Sequence, residues 1–212
     1  MKGFKNILVG FSVSFIGSIP LGYLNVFGFE IYTAFGIEEL VLYLLGVIFV
    51  EAFVIYFTLI FANRLVNNKK LMKIIDILGI LFLLVLAYSF YSLSSGTTVN
   101  HHYLEKYVSY SPFLIGLILS SLNFLQVPFW TGWNLYLING DYIKTEKSLK
   151  FYYVVGTLIG TFSGMIALVY FLHSLSQNTE NFSKYLMPVI IPVFFIVLAS
   201  IQGCKVFKKY FR

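Results

Sequence analysis

One cysteine, Cys204, stands in 212 residues, and charged residues make up only 11% of the chain. A single thiol excludes disulfide frameworks, paired-thiol redox chemistry and cysteine-based metal sites. So little charge beside 58% hydrophobic residues excludes an ordinary soluble domain. The three histidines, His101, His102 and His173, are isolated in or near predicted loops and read as solvated side chains rather than metal ligands. Prolines are also few, five in all, which gives weight to two that interrupt long apolar stretches. These are Pro20, in Ser18-Ile19-Pro20-Leu21-Gly22, and Pro128, in Gln126-Val127-Pro128-Phe129-Trp130.

What is abundant is apolar sequence in runs long enough to cross a hydrocarbon layer of roughly 30 Å. Six spans are predicted, at 7–29, 40–62, 71–93, 112–138, 151–173 and 185–204. Within them only Glu51 and Asp76 carry a carboxylate, and Lys73 is the one cation, at a span end. The net charge of +6 therefore lies in the loops and gives no reason to expect nucleic acid as a partner. Lysines and arginines number two before the first span, none in the first loop, four in the second, one in the third, three in the fourth, one in the fifth and four in the tail. Alternate sides hold thirteen and two. Because the cation-rich side of a bundle stays cytoplasmic, both termini are expected inside, the first span is expected to be retained rather than cleaved as a signal, and a bacterial inner membrane fits.

The two halves echo one another. Tyr43-Leu44-Leu45-Gly46 matches Tyr153-Val154-Val155-Gly156, Val85-Leu86-Ala87 matches Val197-Leu198-Ala199, and Pro20 matches Pro128. The offsets of 110, 112 and 108 residues are nearly constant. This predicts an all-α integral membrane protein of six transmembrane helices, arranged as two three-helix repeats over 1–98 and 99–212 with proline-broken helices 1 and 4. An odd number of spans per unit makes the repeats inverted.

A proline within a span removes one hydrogen-bond donor and frees backbone carbonyls at membrane depth. At about 1.5 Å per residue, Pro20 and Pro128 lie roughly 20 and 24 Å into their spans. Broken helices at corresponding places in two halves point to a transport site. Ser14, Ser18, Gly22 and Asn25 form a small, polar stripe on the first span. On the fourth, Ser120, Asn123, Trp130 and Asn134 share a face, with Gln126 and Trp133 beside it. The candidate substrate-binding set is Ser18, Pro20, Gly22, Asn25, Asn123, Gln126, Pro128 and Trp130; the amides equally suit helix-to-helix hydrogen bonding. Glu51, eleven residues from either end of its span, would cost at least ~2.5 kcal/mol if ionised there. It is expected to be neutral or partnered, and is the candidate proton-coupling residue. Asp76 is expected to snorkel or pair locally. Gly156, Gly160 and Gly164 read as a close-packing face, serving a homodimer or the protomer itself.

The first-span run into Pro20-Leu21-Gly22 with Asn25, and Asn123 preceding a mid-helix proline in the fourth span, resemble the LysE/RhtB family of amino-acid exporters. The likeness covers essentially the whole chain, in size, six spans and a charged loop after span two. The family's Pro-Gly-Pro is here Ile19-Pro20-Leu21-Gly22, and its Asn-Pro pair is spread between Asn123 and Pro128. The resemblance implies proton-driven export of a small metabolite such as an amino acid, with no cofactor and no enzymatic step. An amino-acid carboxylate would meet helix N-termini opened by the breaks, since the spans offer no cation. The alternatives are a metal-ion or small-ion exporter, for which two carboxylates at different depths are few, and a membrane enzyme or assembly protein, for which no nucleophile–base pair is visible.

Overall fold

The computed structural model describes residues 2–19, 22–94, 111–146, 148–178 and 189–210. Pro20, the 98/99 repeat boundary, His101 and His102 lie outside the described residues. Eight helices follow in order: α1 (Lys2–Ser18), α2 (Tyr23–Phe35), α3 (Ile37–Asn67), α4 (Lys69–Ser94), α5 (Pro112–Ser121), α6 (Gln126–Asn139), α7 (Leu149–Asn178) and α8 (Ile191–Tyr210). Among the described residues α3, α4 and α7 are long and apolar enough to cross a membrane, and the bent pairs α1–α2 and α5–α6 raise the number to five if each is one span. The expected sixth span begins at 185 and lies partly outside the described residues; its described remainder is α8.

Both breaks fall where the sequence interrupts its apolar runs, with α1 and α2 meeting at 78° and α5 and α6 at 71°. The second break, however, occupies 122–125, one turn before Pro128 rather than at it. Pro128 supplies no N–H to the carbonyl of Phe124, and its ring would clash with that carbonyl in a continuous helix, so the turn upstream must depart. Pro128 itself then sits in the first turn of α6.

The expected first loop, 30–39, is also replaced. α2 runs to Phe35 and α3 starts at Ile37, with Gly36 alone reversing the chain at φ 88°. Only glycine takes that backbone angle without steric cost.

The outer surface is apolar and the interior holds the polar residues. Phe53, Leu81, Val85 and Phe171 are each more than half exposed, whereas Asn6, Ser14, Asn25, Ser120, Asn134 and Thr161 are buried. Lipid favours that distribution, because the hydrophobic effect does not penalise an apolar exterior there.

Helix pairing follows the glycines. α1 lies along α7, where Gly156, Gly160 and Gly164 meet the backbone of Ile7, Phe11 and Phe15. α5 lies along α3, where Gly46 meets the Phe113 carbonyl and Gly116 meets that of Tyr43. The glycine face of α7 is thus occupied within one chain, which removes it as a homodimer surface. α4 pairs with α8, α6 with α3, and α2 with α7. The echoed tyrosines are both wholly buried: Tyr43 donates to the carbonyl of Leu24 at 2.9 Å, and Tyr153 to Asn134 Oδ1 at 2.8 Å.

Asn134 continues that network by donating to Thr58 Oγ1 at 3.0 Å, which joins α3, α6 and α7 below the second break. Tyr153→Phe leaves Asn134 Oδ1 without its donor, and is expected to cost about 1 kcal/mol. The check is a lower unfolding temperature in detergent for Tyr153→Phe than for wild type, with no such change for Tyr152→Phe, whose side chain is exposed.

Candidate functional site

A cavity of about 560 Å³ opens between the two broken helices, and every helix contributes to its wall. Ser18, Gly22, Asn25, Asn123, Gln126, Pro128, Trp130 and Glu51 all border it. Pro20, outside the described residues, is the one candidate whose place is not given.

The amides at the two breaks do the same local work. Asn25 Nδ2 donates to the carbonyl of Ser18 at 3.0 Å, and Gln126 Nε2 to that of Ser120 at 2.8 Å. Each reaches back across its break to a carbonyl in the last turn of the preceding helix; the Ser120 carbonyl also accepts from the Asn123 amide at 3.1 Å, so Gln126 adds a second donor there. Ser18 and Ser120 direct their hydroxyls to backbone carbonyls as well, Ser14 O at 2.8 Å and Val47 O at 3.2 Å.

Glu51 stands on α3 facing this region. Its Oε1 accepts from Trp130 Nε1 at 3.2 Å, so a buried indole on α6 holds the carboxyl from across the cavity. Its Oε2 is buried and makes no hydrogen bond among the described residues. Thr161, on α7, borders the same space and hydrogen-bonds Ser14 at 2.5 Å. Thr161 lies 110 residues after Glu51, the spacing that separates Tyr43 from Tyr153 and Gly46 from Gly156. Carrying the repeat offset over to polar residues would have found it.

The expected anion site at opened helix N-termini does not form at α6. The amides of Gln126, Val127 and Phe129 are bonded to the carbonyls of Asn123, Phe124 and Leu125, and Pro128 has none to give. At α2, Gly22 starts the helix without a side-chain cap, yet the amides of Asn25 and Val26 both bond the Gly22 carbonyl.

Cations are present after all. α8 continues to Tyr210, so Lys205 and Lys209, expected in a tail, lie on a helix and border the cavity with Gln202. Asp76 departs from expectation in the same place. Instead of snorkelling it is buried, and accepts from Gln202 at 3.2 Å, Lys209 at 3.1 Å and Tyr210 at 2.9 Å. A buried carboxylate needs such partners, and α8 supplies these three. The spacing Gln202, Lys205, Lys209 on one helical face was the available signal.

Buried Asn6 of α1 ties down the segment between α6 and α7 by donating to the carbonyls of Lys144 and Leu149, each at 2.7 Å. Nearby, Lys144 hydrogen-bonds Asp141 and, with Lys5, holds that exposed carboxyl below the ordinary aspartate range.

Fold and cavity together define an all-helical protein with several helices long and apolar enough to cross a membrane, and two bent helix pairs beside a chamber lined by both polar and apolar groups. Comparison with models of known families, with curated proteins and with solved structures finds no match for this chain.

Proposed function

We propose that the protein is a secondary transporter of the cytoplasmic membrane that exports an amino acid or a similar small polar metabolite by alternating access, with Glu51 carrying the coupled proton. The observation that carries this reading is the chamber between two broken helices, bordered by eight residues chosen from the sequence for their polarity and spacing. Ligand sites of this kind, in which irregular backbone lines a polar cavity at membrane depth, are characteristic of transporters.

Two inverted three-helix repeats are part of the proposal. α1 against α7 and α5 against α3 are the same pairing with the halves exchanged, as are α2 with α7 and α6 with α3, while α4 with α8 maps onto itself. In such an arrangement the two halves can exchange conformations, which opens the chamber to one side and then the other. Glu51 breaks the equivalence, since Thr161 stands at its counterpart, so one acid serves both states. Both termini are assigned to the cytoplasm from the lysine distribution, and the resemblance to the LysE/RhtB family supplies the direction of transport.

The test is efflux from vesicles. Purified protein should release some preloaded labelled amino acid faster than protein-free vesicles do, and an imposed pH gradient should accelerate that release. No gradient-dependent flux of any amino acid by folded protein would sink the proposal.

A further inference from the structure

The cavity has a second end that the central residues do not explain. Leu198, Gln202, Lys205, Val206 and Lys209 turn one face of α8 toward it, opposite α4. Two of these are cations, and one is already neutralised: Lys209 pairs with Asp76, whose side chain is only 4% exposed. Asp76 is also held by Gln202 and Tyr210, so its charge is committed to fixing α8 against α4. Lys205, one turn before Lys209, has neither an ion-pair nor a hydrogen-bond partner among the described residues. The other carboxylate bordering the cavity, Glu51, is bound to Trp130. This end of the chamber therefore carries one uncompensated positive charge, set beside amide and apolar groups.

We infer that this end of the cavity is a carboxylate-binding subsite, with Lys205 as the residue that selects substrates bearing a free carboxylate. The inference rests on the transporter reading and deepens it, because it moves recognition of the anionic group from the helix breaks to α8. An ammonium on a flexible stem forms charge-assisted hydrogen bonds to a carboxylate in whatever pose the substrate adopts. Asp76 is a positioning residue here. By taking up Lys209 it leaves a single cation at the mouth, enough to attract a monoanion without holding it so tightly that it cannot proceed. Gln202, which spends one N–H on Asp76, borders the chamber beside the lysine.

Purified full-length protein in detergent is tested for binding of labelled leucine, threonine and lysine, with leucinamide, threoninamide and lysinamide as competitors, alongside the vesicle flux assay. Lys205 is exposed, so Lys205→Gln and Lys205→Arg are expected to unfold at the wild-type temperature. For at least one amino acid, wild type should bind the acid in preference to its amide. Lys205→Gln should weaken that binding about tenfold, the scale of one partly screened charge-assisted bond, and lose the preference for the acid. Lys205→Arg should restore both. This pattern upholds the subsite even if vesicles show no flux, in which event the transporter reading alone fails. The inference is overturned if no amino acid binds, if the amides compete as well as the acids against wild type, or if Lys205→Gln binds the acids unchanged. Wild-type flux in vesicles would then still support transport.

Discussion

Glu51→Gln is expected to reduce gradient-driven efflux to the rate of protein-free vesicles while exchange at equal pH persists within a few-fold. The side-chain carbonyl of glutamine can still accept from Trp130 Nε1, so the link between α3 and α6 survives and only the capacity to bind a proton is lost. Glu51 borders the chamber at the middle of α3, with Trp130 on Oε1 and an Oε2 that has no hydrogen bond among the described residues, a position from which it can take up a proton. In the proposed cycle, loading it when the chamber is open to one side and unloading it on the other would convert a pH gradient into directed transport. Efflux that responds to the gradient equally in wild type and Glu51→Gln would remove Glu51 from the coupling role. Trp130→Phe serves as the companion measurement: it deletes the donor to Oε1 but keeps an acid, and should slow transport without uncoupling it.

Gly46→Ala carries the largest expected structural effect. A methyl group at this position falls on the carbonyl oxygen of Phe113 in α5, so α3 and α5 must separate along the seam that positions the second break. Overpacking of this kind costs about 1–3 kcal/mol, and here the obstructing atom is backbone and cannot rotate away. A clear fall in unfolding temperature in detergent is expected. Gly132→Ala is the control, since nothing lies within 4 Å of a methyl added there; in mid-helix it should be neutral or gain up to about 1 kcal/mol. Equal melting of Gly46→Ala and wild type would show that the α3–α5 seam is looser than the backbone contact implies.

Much of the chamber was legible because membrane sequence is a quiet background. Against an apolar run, Asn25, Gln126 and Glu51 are conspicuous, and the prolines mark where a helix cannot continue. What the residues would do was less legible. The side-chain nitrogens of Asn25 and Gln126 turn out to cap carbonyls across the breaks, a need that arises only once the chain has actually turned. Asp76 was misread because its partners, Gln202, Lys209 and Tyr210, are 126 to 134 residues away. Nothing local to Asp76 distinguishes a buried carboxylate from a snorkelling one. Lys205 was placed beyond a span end, since hydropathy stops counting at the first charges while the backbone remains helical to Tyr210.

By itself the sequence determined the apolar, all-helical character of this protein, the rough position of its breaks, and the echo between its halves. Those follow from composition and from short-range stereochemistry, which act residue by residue. The tertiary structure decided which faces meet: that Gly46 and Gly156 seat helices of the opposite half, that Trp130 reaches Glu51, and that α8 closes one end of the chamber with a buried aspartate and a lysine to spare. Such pairings depend on close packing between segments far apart in the chain, where small residues set the distance of approach and each buried polar group must find its partner.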